Sequence, residues 1–194
     1  MRLDRFLRHF VLSAAAADRR YARTQDAGEI HLGITVWESL VEGGGLEESE
    51  PETLVDAHLA ASMLYSRRFE VQQASRDLAL SRRYLEYARV HVRPGSFADL
   101  QVRMSTAAWL MLRFQSERTV DDLEDAISIW TDLATTEAGA LAVANLGRAL
   151  LARHELTGEE QDLRDGRMLL GHASEEMPAD HPARADIELA LRNA

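Results

Sequence analysis

Residues 144–166 read ANLGRALLARHELTGEEQDLRDG. Within this stretch Arg153-His154 is followed by Leu163, ten residues after the arginine, and seven residues further on stands Leu170. The same phase recurs three times upstream: Arg20-Tyr21 with Ile30 and Trp37, Arg68-Phe69 with Leu78 and Leu85, and Arg113-Phe114 with Leu123 and Trp130. Four copies in one register point to a repeated structural unit.

The copies are 48, 45 and 40 residues apart, near the length of a helix-pair repeat, and no segment alternates in the two-residue rhythm of a strand. Each unit therefore reads as two antiparallel helices. In the third unit Leu123, Ala126, Ile127, Trp130, Leu133 and Ala134 form one apolar stripe at helical spacing, and Asp121, Asp122, Glu124 and Asp125 crowd the first turn. Helix breakers fall between units at Gly43 to Gly45 with Pro51, at Pro94-Gly95, at Gly139, and at Pro178 with Pro182. The expected units are 3–45, 51–94, 96–138 and 139–178, followed by a terminal helix over 180–193, all in one domain over 1–194. The polar stretch 43–52, GGGLEESEPE, is expected to be a mobile acidic loop.

Composition narrows function by exclusion. The 194 residues are 46% hydrophobic, enough for a sizeable core, and carry a formal net charge of -10, which opposes binding to nucleic acid. There is no cysteine, so thiolate catalysis and cysteine metal sites are absent. All 22 basic residues are arginine, which removes a P-loop lysine and Schiff-base chemistry and suits a GC-rich coding genome. No run reaches the ~20 apolar residues of a membrane span. The opening MRLDRFLRHFVLSAAAADRR reads as an amphipathic first helix rather than a signal peptide, so the expected address is the cytoplasm.

The fourth unit carries Val143, Leu146, Gly147 and Leu150, then Gly166, Leu170, Ala173 and Pro178. This resembles the tetratricopeptide repeat, and the other units follow it more loosely through Ser13-Ala14 with Gly33, Ala61-Ser62 with Ser81, and Thr106-Ala107 with Ala126. Fifteen residues separate Leu150 from Gly166 instead of the usual eight, so the units are longer than standard. In this respect the chain is similar to long-repeat actinobacterial proteins whose arrays adjoin a caspase-like CHAT protease or a signalling NTPase. The resemblance implies an all-α fold: an α-solenoid, a right-handed superhelix of about four antiparallel pairs closed by a C-terminal capping helix.

On that resemblance the first helices of the pairs line a concave surface. It would carry Asp56, Leu59, Met63 and Arg67, then Gln101, Met104, Ala108 and Met111, then Ala144, Asn145, Arg148 and Leu151. Three methionines suit an adaptable apolar groove for a peptide or helix, or else fill the core. Asn145 and Arg148 stand where some family members hold a partner's carboxylate, although only one unit has the pair. The Arg-aromatic pairs read as a structural device ending each first helix, and Asp121-Asp122 and Glu159-Glu160 as dipole and solubility features first and a docking surface for a basic partner second. The HELTG string lacks the second histidine of HExxH, and His172 with Glu176 supplies two ligands without a third. The expectation is a non-enzymatic scaffold for a protein or peptide partner, without cofactor or metal. The alternative is a regulatory or oligomerising module, possible as a homodimer, that serves a separately encoded protease or NTPase.

Overall fold

A computed structural model describes every residue except Met1, Gly45, Glu137, Ala138, Ala179, Pro182 and Ala194, and omits the side chains of Arg2 and Glu47. The expected breakers Gly45 and Pro182, and the boundary at 138, lie outside the described residues. Among the described residues there are nine α-helices and no strand. They are α1 (Arg2–Thr24), α2 (Gly28–Glu42), α3 (Pro51–Gln72), α4 (Ser75–His91), α5 (Phe97–Glu117), α6 (Val120–Ala134), α7 (Gly139–Thr157), α8 (Glu160–Glu176) and α9 (Arg184–Asn193).

The first eight helices form four hairpins, and each turn is built in the same way. Counting from Arg20, Arg68, Arg113 and Arg153, every first helix ends four residues later, at Thr24, Gln72, Glu117 and Thr157. The fifth residue, Gln25, Gln73, Arg118 or Gly158, has φ between 54° and 73°, the left-handed conformation that stops a helix. Its N–H is donated to the carbonyl of the residue after the arginine, namely Tyr21, Phe69, Phe114 or His154, at 2.7–2.8 Å. The repeated Arg-aromatic pair thus marks the last turn of each first helix.

Nine residues after each arginine comes its acidic partner, in the first turn of the second helix. Arg68 donates Nε and Nη2 to the two carboxylate oxygens of Asp77 at 2.8 and 2.6 Å. Arg153 holds Asp162 in the same fork at 2.8 Å twice, and Arg113 holds Asp122 likewise. In the first hairpin a single bond of 2.7 Å joins Arg20 to Glu29, both open to solvent. Asp77, Asp122 and Asp162 are buried, at 2, 1 and 5% exposure. Asp122 is therefore not the solubility feature expected of it. Its partner is internal, and its forked pairing satisfies a carboxylate that burial would otherwise penalise.

Small residues meet across two of the hairpins, Ser62 with Ser81 and Gly147 with Gly166, whereas Gly33 of α2 faces Leu64 of α3. Ser62 and Ser81 are hydrogen-bonded across α3 and α4 at 2.9 Å. Between α7 and α8 the backbones approach closely, since a Cβ on Gly147 would lie 2.9 Å from the Gly166 carbonyl oxygen, and one on Gly166 would lie 2.9 Å from that of Gly147.

The chain divides within α5 into two compact units, residues 1–105 and 106–194. In the first, Leu7, Phe10 and Ala14 of α1, Ile34 and Trp37 of α2, and Leu64 and Tyr65 of α3 form the core. Phe10 stacks on Trp37, and Tyr84 of α4 meets the same indole edge-on. Part of the acidic connection expected to be mobile, residues 46–50, makes defined contacts. Leu46–Glu48 forms a 3-10 turn, Ser49 is buried, and the Glu50 N–H donates to Asp4 at 3.0 Å, a bond that lowers the Asp4 pKa.

In the second unit Leu123, Trp130 and Leu133 of α6 and Ala142, Leu146 and Ala149 of α7 are buried. Arg153 also bonds Glu124, joining α7 to α6 at 2.9 Å. At the other end Ile187 of α9 is fully buried with Val143, Leu170 and Met177. Arg184 fastens the connection before α9 by donating to the Met177 carbonyl at 2.8 Å.

Candidate functional site

Proline and glycine position the walls of an open groove in the first unit. Pro51 occupies the first turn of α3, where its missing N–H costs nothing, and Glu50 before it is extended. Between α4 and α5, Val92 is extended two residues before Pro94, and Gly95 turns the chain at φ 73°. Asp99 then accepts from the Gly95 N–H at 2.9 Å, while Ser96 Oγ accepts from the Asp99 N–H at 3.2 Å. This reciprocal cap starts α5 and leaves Phe97 71% exposed at its mouth.

The groove encloses about 1160 Å³ among α1, α3, the α4–α5 connection and the first part of α5. Val55 and Ala60 are buried in its floor, and Val11, Leu59 and Met63 are half-buried along its sides. Glu50, Glu52 and Asp56 bring negative charge from the start of α3, and His91 and Arg93 stand on the α4–α5 side. Arg8 pairs with Glu50 at 2.7 Å. Asp56 is held above the ordinary carboxylate pKa, by desolvation first and by neighbouring Glu52 second.

Of the residues assigned to a concave face, Asp56, Leu59, Met63 and Gln101 line this groove. Arg67, one turn beyond Met63, is instead spanned by Asp18 at 2.6 Å and Glu70 at 2.9 Å. Met104 is half-buried on α5 and is not part of the groove lining. In the second unit Ala108 is exposed and Met111, Asn145 and Arg148 are half-buried. Ala144 is 1% exposed in the core, and Leu151 packs where a Cβ on Gly166 would meet it at 2.9 Å. That face of α7 is thus partly interior, because α6 and α8 both pack against the helix.

Most of the lining is absent from the expected set, including Val11 on α1, Phe97 at the start of α5, and the charged residues Glu52 and Arg93. Pro51 and Pro94-Gly95 were the available signals, since each proline aims the helix that follows it.

His172 and Glu176 meet at 3.4 Å on an exposed helix face, and no group of three His, Asp or Glu among the described residues could hold a metal ion. His58 is buried between α3 and α4, bonded through Nδ1 to the Leu54 carbonyl at 2.7 Å and stacked on Tyr87 at 3.8 Å. Burial lowers its pKa. Among the described residues no helix is long and apolar enough to cross a membrane. No family model matches the chain, and no match is found among curated proteins or solved structures.

Proposed function

We propose that this chain is a non-enzymatic docking module, a cytoplasmic tetratricopeptide-like repeat protein whose first unit receives an apolar segment of a partner protein in the groove between α1, α3 and α5. One observation carries the reading: an open volume of about 1160 Å³ between helices, with Leu59 and Met63 only half-covered along its side. Covering such side chains favours association by roughly 25 cal/mol per Å² of apolar surface removed from water. Walls made from helices anchored in a core lose little conformational freedom when a partner arrives, so more of that gain appears as affinity. Methionine adds adaptability to the partner's shape.

Oligomerisation is the second reading, and it draws on a different surface. Leu32 and Val36 lie one turn apart on α2, at 61 and 41% exposure, and would pair with another copy of the chain.

Photocrosslinking separates the two readings. A photoreactive amino acid is placed in turn at Leu59, Leu32 and the exposed Met168 of α8, in cells of the source organism. The docking reading expects an adduct with a different protein at Leu59 and none at Met168, with the Leu59 adduct lost when Met63→Glu is added to a chain of unchanged helicity. An adduct with a second copy at Leu32, with none at Leu59, overturns docking in favour of oligomerisation.

A further inference from the structure

The geometry points to a cationic amphipathic helix as the occupant of the groove, with Lys or Arg against Glu52 and Asp56 and apolar side chains against Leu59 and Met63. This rests on the docking reading and adds the chemistry of the partner.

Glu52, Asp56, Leu59 and Met63 are spaced by four, three and four residues, which places them in one stripe along α3. The stripe is acidic over its first half and apolar over its second, and all four residues line the groove. A helix laid along it meets charge and then hydrocarbon in that order. The length from Glu52 to Met63 is about 16 Å at 1.5 Å per residue, which three turns of a partner helix cover.

The carboxylates differ in what already neutralises them. Glu50 is paired with Arg8, whereas Glu52 and Asp56 have no hydrogen bond or ion pair among the described residues. The Asp56 pKa is raised first by desolvation and then by Glu52, and between these two exposed carboxylates at i and i+4 there is a like-charge repulsion. A cation placed between them removes it. Arg93 on the opposite side disfavours a cation near it, which confines the basic residues to the α3 side, and the chain's net charge of -10 steers cationic partners at long range.

The test pans a displayed library of random peptides of ~16 residues against the full chain and keeps those whose binding is lost with Leu59→Glu, Met63→Glu at unchanged helicity. The expected survivors are rich in Lys and Arg on one flank of an apolar stripe. Their affinity falls about tenfold with Glu52→Gln, Asp56→Asn, and replacing the peptide's own basic residue by Gln then costs little more. Groove-dependent peptides that are neutral or acidic, or that bind the Glu52→Gln, Asp56→Asn chain equally well, overturn the charge inference and leave docking standing. Absence of any groove-dependent peptide overturns both. A wild-type dimer in sedimentation that Leu59→Glu, Met63→Glu converts to monomer makes a second copy the occupant, and also overturns the inference.

Discussion

Arg153 lays Nε and Nη2 on the two carboxylate oxygens of Asp162, nine residues further along, and in doing so clamps the end of one helix to the start of the next. The bond to Arg153 is the main reason the Asp162 carboxyl is held below its usual pKa. Two more hairpins carry the same fork at Arg68 with Asp77 and Arg113 with Asp122, and the first carries a single exposed bond.

Removing the acid from a buried fork leaves the arginine without its partner inside the hairpin. Asp77→Asn and Asp162→Asn are each expected to lower stability by about 2–3 kcal/mol in urea denaturation. Glu29→Gln in the exposed version is expected to cost under about 0.5 kcal/mol. Equal losses at all three positions would show that the forks add nothing beyond a surface ion pair.

Glycine has opposite meanings at two places on α8. Gly166 faces the Gly147 carbonyl at a distance that leaves no room for a methyl, so Gly166→Ala is expected to push α7 from α8 and cost about 1–3 kcal/mol. Around Gly171 nothing lies within 4 Å of an added Cβ, and Gly171→Ala is expected to gain about 0.5–1 kcal/mol from helix propensity. Thermal unfolding of the two variants reads both signs directly, and a gain from Gly166→Ala would remove the close approach as a constraint.

His58 makes stability depend on pH in a defined direction. Its folded pKa lies below 6.5, owing first to burial, so between the two values the unfolded chain binds more protons than the folded one. Stability contributed by neutral His58 is present above about pH 6.5 and is lost as pH falls toward the lowered folded value. The groups around it are Trp37, Tyr84, Tyr87 and His91, with Arg83 also opposing a positive ring. Denaturation of wild type and His58→Gln across pH 5–7 is expected to give curves whose difference shrinks as the solution becomes more acidic. A constant difference would exclude His58 as the source.

Helix pairing is legible in the sequence because Trp37, Leu85, Trp130 and Leu170 sit in one phase and all are buried. The acid of each fork is harder to pick out. Asp122 lies among Asp121, Glu124 and Asp125, and first-turn acids are ordinary, so only the inward turn of one of them distinguishes it. The interval from arginine to acid is nevertheless nine in all four copies, and that was the readable signal. At the candidate site, Leu59 and Met63 are singled out by the resemblance to the tetratricopeptide repeat, which assigns them to the exposed face of a first helix. Phe97 and Val11 are not, because they depend on where the α4–α5 turn sends the chain and on which side of α1 its neighbours leave uncovered. Ala144 and Leu151 illustrate the same difficulty in reverse: a helix packed on by two others has less free surface than its sequence pattern suggests.

The fork also separates rigid from elastic stretches of this polypeptide. Its span is nine residues every time, while successive arginines stand 48, 45 and 40 residues apart, so all variation in length is absorbed outside it. Insertions and deletions are therefore at home between one fork and the next arginine, and a single residue gained or lost inside the nine would swing the acid off its partner. Any recombination that adds or drops a whole hairpin has its natural seam in the elastic stretch, where the joint can be cut without disturbing the bend on either side.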